Sequence, residues 1–384
     1  MRIWDWEVKR QAGALEVAAE VDGFRLWYRV PDSYPVARSA DPFVAAALLP
    51  AMVRGEELEV DPALTVSPKL LKSIFRLQEI LHCWNPALKM VQITASTACA
   101  EGLSGGSLSF FSGGVDSTYT FLKHADEISH LVFIHGLDFY EASESYRVAV
   151  ERNSRFAETF GKTLIPVETN HHPFGYRYGL SRHLTHGSCL GSVALLLGFD
   201  VAYIPASVTY NDLTPYGSHP LTDPLWSNEA VEVIEDGCEA RRTDKVIRVL
   251  ASDAALANLR VCFNDMNVNC GLCEKCLRTM VSLALLGAKD APFPPLPPLG
   301  TFMKERVPPE AICEWKENLD LAMATDAPQH RELRDALRKR LRREQVRGAI
   351  RDLDQALLDG HVRRLLGRRQ PVVNIGPKPS DPEF

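Results

Sequence analysis

No apolar run in this sequence approaches the roughly 20 residues that a membrane-crossing helix needs. The first residues, Met1-Arg2-Ile3-Trp4-Asp5-Trp6-Glu7, carry acids where a signal peptide would be apolar. A strong charge excess is also missing. Lys and Arg number 43 against 49 Asp and Glu, a net charge of −6, which gives no whole-chain reason to expect nucleic acid. Evenly spread cysteines, the mark of a disulfide framework, are absent too. Four of the nine lie between Cys262 and Cys276 and five are scattered, which suits metal binding in a reducing compartment. These absences set the expectation of a cytoplasmic protein with no membrane partner.

What is present fits an ordinary globular chain: 384 residues, 46% hydrophobic and 24% charged, enough for two or three domains. Residues 1–104 read as a small α+β domain. Leu15 to Val21 and Phe24 to Val30 flank Asp22-Gly23, a hairpin signal. Asp41-Pro42 reads as an N-cap and first helical position, with a break expected at Pro50 before Gly55. Ser67-Pro68 starts a helix with apolar Leu70, Leu71, Ile74, Leu77 and Leu81. Trp4, Trp6, Trp27 and Trp84 are expected in the core.

From residue 105 to 290 strand patterns alternate with helix patterns. This predicts an α/β fold, a parallel sheet with helices on both faces. Ligands of such sheets sit at the carboxyl ends of the strands. The segments leaving those ends are Gly113 to Ser117, Gly136 to Tyr140, Glu168 to His172 and Ala206 to Trp226. The last is long and polar, and Tyr210, Asn211, Asp212, His219 and Asp223 are its substrate candidates. Histidines crowd the same region: His171, His172, His183, His186 and His219. Of these, His186 is placed near a helix N-terminus, where it suits contact with substrate or phosphate.

The central stretch is Ser109 to Thr118. The apolar run Leu108 to Phe111 reads as a buried strand, and a helical pattern starts at Val115. Ser112-Gly113-Gly114-Val115-Asp116-Ser117 therefore lies between strand and helix. Backbone N–H groups left free at a helix start make a site for phosphate oxygens. Asp116 beside such an anion points to Mg²⁺ between them. The Gly-Lys-Ser/Thr ending of a Walker loop is missing. Further on, Cys262, Cys270, Cys273 and Cys276 have the spacing C-x₇-C-x₂-C-x₂-C. Four thiolates in one knuckle, with Gly271 easing a turn, suit a closed tetrahedral Zn²⁺ site; an iron–sulfur cluster is the rival.

Ser112 to Ser117 resembles the SGGxDS signature of the PP-loop ATP pyrophosphatases, also described as adenine nucleotide alpha hydrolase-like. With the cysteine knuckle, residues 105–290 resemble 7-cyano-7-deazaguanine synthase. The resemblance implies that Ser112, Gly113, Gly114, Asp116 and Ser117 hold ATP, with Val115 in the same loop and Asp116 and Ser117 in catalytic roles. His186 is the third catalytic candidate, on its place near a helix N-terminus and not on the resemblance, since Leu184-Thr185-His186-Gly187 stands where the family carries an Arg-Asn pair. It implies a structural Zn²⁺ on the four cysteines. The implied reaction is adenylation of a carboxylate with release of pyrophosphate, then attack of ammonia to give an amide or nitrile. The segments His135-Gly136-Leu137-Asp138 and Tyr210 to Asp223 differ from the family's. The acceptor thus stays open among a deazapurine, a natural-product intermediate and a peptide.

Residues 291–384 read as a stiff Pro-rich linker, Ala291 to Gly300, then a helical extension and a loose tail. From Arg331 to Arg369 there are 13 Lys or Arg against 6 Asp or Glu. Leu333, Leu337, Leu341, Ile350, Leu353 and Leu357 make this region amphipathic, as in a packed helix pair with a solvated basic face. A tRNA-modifying PP-loop enzyme with RNA on that face is the alternative function, and a non-catalytic nucleotide-sensing module a third. A homodimer is compatible with each.

Overall fold

A computed structural model describes residues 1–137, 144–265, 267–303, 305–325 and 327–358. The chain starts with an antiparallel meander of β1 (Arg2–Gln11), β2 (Ala14–Val21) and β3 (Phe24–Pro31). Both turns are two residues long. Ala12 and Gly13, then Asp22 and Gly23, take φ of 51°, 80°, 52° and 71°, the left-handed pairs that match strand twist in a hairpin. The second hairpin is legible in the sequence. β1 is not, because its outward positions are charged and its alternation is weak. The tryptophans correct the core expectation. Trp4 is 43% exposed, and Trp6, Trp27 and Trp84 are half-buried.

α1 (Asp41–Arg54) runs unbroken through Pro50 and stops at left-handed Gly55. It is buried on every side from Asp41 to Met52, so packing holds it across the missing N–H. Ala40 is its N-cap. Asp41 instead accepts from Ser67 N and Asn228 Nδ2, each at 2.9 Å. After β4 (Leu58–Val60) and β5 (Thr65–Val66), α2 (Pro68–Trp84) is capped as expected, Ser67 Oγ accepting from Leu70 N at 2.9 Å. Short β6 (Ile93–Thr94) and β7 (Ser96–Thr97) lead to β8 (Ser104–Phe110) and α3 (Val115–Lys123).

Strand and helix then alternate: β9 (Ile128–His135), α4 (Glu144–Thr159), β10 (Thr163–Thr169), α5 (His171–Tyr176), α6 (Arg182–Leu197), β11 (Phe199–Pro205) and β12 (Glu232–Asp236). The large sheet has the order β12-β11-β8-β9-β10-β3-β2-β1-β4-β6. β12 to β10 are parallel neighbours, β10 to β1 antiparallel, and β1, β4 and β6 parallel. The protein is α/β, with a large, mostly parallel sheet flanked by helices. The sheet runs across the boundary expected near residue 104, through Glu168 opposite Arg29 and Thr169 opposite Tyr28. One core joins both sides, from Ile3 and Phe43 to Val193 and Val233.

The described residues divide into two compact units: Met1–Ser112 with Thr120–Cys238, and Gly113–Tyr119 with the residues from Glu239 to Leu358. The second contains α7 (Arg242–Leu250), α8 (Asp253–Asn258), α9 (Glu274–Leu285), α10 (Leu299–Phe302), α11 (Ile312–Ala324) and α12 (Arg331–Leu358). Its core gathers Leu277, Val281, Phe302, Trp315, Leu337 and Leu341. In α12, Leu333, Leu337 and Leu341 are buried, while Ile350 and Leu353 are exposed; the side chain of Leu357 lies outside the described residues. Arg340 is buried as well, stacked on Phe302 and Trp315 at 4.6 and 4.3 Å. Among the described residues no helix is long and apolar enough to cross a membrane.

The long loop after β11 has two halves. Asn211 to Pro215 are exposed. From Tyr216 on, the loop is fixed to α6: Gly187 N donates to Gly217 O at 3.1 Å and Gly217 N to His183 O at 3.0 Å. A Cβ at Gly187 would collide with the Gly217 carbonyl and approach Asp223 Oδ1 to 2.7 Å. Gly187→Ala should therefore destabilise the protein by about 1–3 kcal/mol, measured by denaturant unfolding. A change within 0.5 kcal/mol would mean the loop shifts freely on α6.

Candidate metal centre and glycine-rich turn

The knuckle follows α8 and runs into α9, with Cys273 as the α9 N-cap. The sulfurs of Cys262, Cys270, Cys273 and Cys276 all lie within 4.8 Å of one another. Two thiolates on one tetrahedral zinc, each at about 2.3 Å, stand about 3.8 Å apart. Cys262 Sγ and Cys273 Sγ are 3.9 Å apart. All four sulfurs lying within 4.8 Å of one another suits four ligands gathered on one ion. Backbone N–H groups point at the sulfurs: Asp265 N at Cys262 Sγ (3.3 Å), and Leu272 N and Cys273 N at Cys270 Sγ (3.4 and 3.3 Å). The Cys273 thiol is held down to about 4, first by the hydrogen bond from Cys276. Such donors stabilise thiolates. Gly271 takes φ 71° and its missing Cβ leaves room for Pro294. Asn269 Nδ2 donates to Pro292 O at 2.9 Å. The stretch expected as a linker therefore lies against the knuckle. The donor set fits a metal ion such as Zn²⁺. No other set of three or more His, Cys, Asp or Glu gathers this way among the described residues.

The glycine-rich turn follows β8. β10-β9-β8-β11-β12 is, in chain order, 3-2-1-4-5, and the order reverses between β8 and β11. The carboxyl ends of strands at such a reversal are where open α/β sheets bind ligands. Gly113 takes φ 77°. α3 then begins, Thr118 N and Ser117 Oγ both donating to Gly114 O, at 3.0 and 3.2 Å.

Asp116 is not presented open, as the Mg²⁺ expectation supposes. Arg242 Nη1 donates to its Oδ2, and Lys245 Nζ to its Oδ1 at 3.2 Å. Burial pushes this carboxyl up, but Arg242 and Lys245 outweigh it and hold it far below the usual range. Both cations stand in the first turn of α7 and are at most 9% exposed. A helix dipole disfavours cations at that end, and a carboxylate offsets the cost. That misplaced charge is the one sequence signal that could have found Arg242 and Lys245. The chain of charges continues. Arg242 Nε lies 3.9 Å from Glu314, and Arg278 pairs with Glu314 and, at 3.5 Å, with Glu274. Trp315 Nε1 donates to Glu274 Oε1 at 2.7 Å.

The other candidates lie in the first unit. α6 begins at Arg182, so His186 sits in the second turn rather than at the helix start. His186 lies 6.1 Å from the Tyr216 ring, and His183 Nδ1 is 3.1 Å from Tyr216 Oη. His171 and His172 are buried and neutral. Desolvation lowers both, and the nearby His186 adds to it, His171 falling to about 3. Tyr210, Asn211 and Asp212 are exposed, whereas His219 and Asp223 are buried. His219 Nδ1 accepts from Leu221 N at 3.1 Å and its ring meets Trp84 at 4.9 Å. These two therefore hold the loop's own shape. The chain matches no protein-family model, no curated protein and no solved structure.

Elemental analysis should give about one zinc per chain. Cys276→Ser should lower that content and destabilise the second unit, because metal-binding free energy contributes to folding. Iron in stoichiometric amount would contradict the zinc assignment. A second outcome concerns Asp223, whose carboxyl is raised by burial from 3.8 to about 7. Between those values the folded state holds a proton that the unfolded state lacks. Stability falls with rising pH there by about 1.4 kcal/mol per unit. The melting temperature of Asp223→Asn relative to the parent should thus rise from pH 4 to 7 and level off above. A constant difference would contradict the burial account.

Proposed function

We propose that this chain is an ATP-dependent enzyme that adenylates a carboxylate, releases pyrophosphate and lets ammonia displace AMP, giving an amide, or a nitrile if a second ATP adenylates the amide oxygen and that oxygen leaves with AMP. The observation that carries this is Ser112-Gly113-Gly114-Val115-Asp116-Ser117 at the order reversal of the parallel sheet, with two cations gathered at its carboxylate. This is the PP-loop reading of the chain.

The residues divide the work as follows. Amides of the turn and the first turn of α3 receive the β,γ-phosphate oxygens. Arg242 and Lys245 supply the positive charge that a Walker lysine would bring. They are held ready by Asp116 and exchange it for phosphate oxygens when ATP arrives. Asp116 is the residue that would hold Mg²⁺ brought with ATP, and the ion would supply charge neutralisation at the phosphates. Gripping the pyrophosphate stabilises it as leaving group and leaves the α-phosphorus open to in-line attack. Tyr210, Asn211 and Asp212 remain the acceptor candidates. The knuckle, closed by four protein ligands, has no open position for substrate and acts structurally.

Asp116→Ala should abolish ATP turnover while circular dichroism and zinc content stay unchanged. Lys245→Met should weaken binding of Mg²⁺–pyrophosphate by about tenfold or more, equal to about 1.4 kcal/mol by calorimetry. Near-parental turnover in Asp116→Ala at matched Mg²⁺ would mean that the turn is not used this way.

A further inference from the structure

The knuckle and the glycine-rich turn are far apart in sequence, yet one segment ties them. Arg260 N donates to Gly113 O at 2.9 Å. The guanidinium of the same residue, 8% exposed, donates from Nη2 to Cys262 O at 2.7 Å and Asp265 O at 3.1 Å. Asn269, next to Cys270, brackets Arg260. Its Nδ2 donates to Leu259 O at 2.9 Å, and its Oδ1 accepts from Val261 N at 2.8 Å. Four contacts thus hold residues 259–262 to the knuckle, and a fifth passes that position to Gly113. The other end of the turn is reached separately. Glu274 follows the metal-ligating Cys273, and the charges Glu274, Arg278, Glu314 and Arg242 lead from it to Asp116.

We infer that the metal-loaded knuckle is a positioning clamp for the glycine-rich turn, acting on Gly113 through Arg260 and on Asp116 through the Glu274–Arg278–Glu314–Arg242 chain. Outer groups that fix a metal site's loops are in turn fixed by them. Loss of the ion frees the carbonyls of Cys262 and Asp265 to move, and Arg260 then no longer fixes the turn's first peptide. Metal content thereby becomes a control on anion binding without the metal touching the anion. Only this last consequence rests on the proposed ATP reading. The clamp itself does not.

Hydrogen exchange on the full-length protein, without nucleotide, separates the two. In Arg260→Gln that retains one zinc per chain, amides of Gly113 to Ser117 should exchange at least about tenfold faster. α11 should keep its protection, and Arg260→Lys should restore part of the loss. Zinc removal from the parent protein with a chelator should loosen the same amides, and this arm stands if Arg260→Gln fails to fold. Unchanged turn exchange after chelation, or in zinc-loaded Arg260→Gln, would overturn the clamp. In zinc-loaded Arg260→Gln, equal loss of protection in α11 would also overturn it, because the turn would then report only loosening of the whole unit. Titration with Mg²⁺–pyrophosphate is the separate arm. No binding by the parent protein would defeat the ATP reading and leave the exchange result untouched.

Discussion

The second unit depends on neutralising buried charge. Asp116, Glu314 and Glu274 interleave with Arg242, Lys245 and Arg278, three carboxylates with three cations, each no more than 20% exposed. Charges this far from water are tolerated only when paired, and removing one partner of a buried pair costs about 3–5 kcal/mol. The network spans α3, α7, α9 and α11, so its geometry fixes those helices together. It also explains Asp116, a carboxylate at a helix start meant for anions. Without bound anion, Asp116 supplies the negative charge that Arg242 and Lys245 require.

The first unit meets a different constraint. Its parallel strands are joined by helices, and an antiparallel meander extends the same sheet. One apolar core therefore serves residues on both sides of position 104. Burial favours the neutral forms of His171 and His172 and raises the Asp223 carboxyl, which fits a role in local shape. The loop's tip, Asn211 to Pro215, is exposed.

Much of this was legible in the sequence, for identifiable reasons. The strand–glycine–helix pattern around Ser112, the Asp22-Gly23 turn, the Ser67 cap and the cysteine spacing are local signals with local causes. What was illegible is non-local. Nothing near Pro50 says that α1 is buried all round and so survives its proline. β1 carries charge on its outer face and hides its strand period. His186 was placed by a pattern that missed the helix start at Arg182. Arg242, Lys245 and Arg260 meet their partners only when the fold brings Asp116 and the knuckle carbonyls to them. Long-range pairing of charge leaves no periodic trace in a single sequence.

The central claim is that the turn grips pyrophosphate, so that ATP is opened at its α-phosphorus. Product analysis tests it most directly. ATP labelled separately at the α- and γ-phosphates is incubated with Mg²⁺, ammonia and a panel of carboxylic acids. The account predicts AMP and pyrophosphate with little ADP, dependent on the acid. ADP and orthophosphate as the only products would contradict it, whichever acid proved to be the substrate.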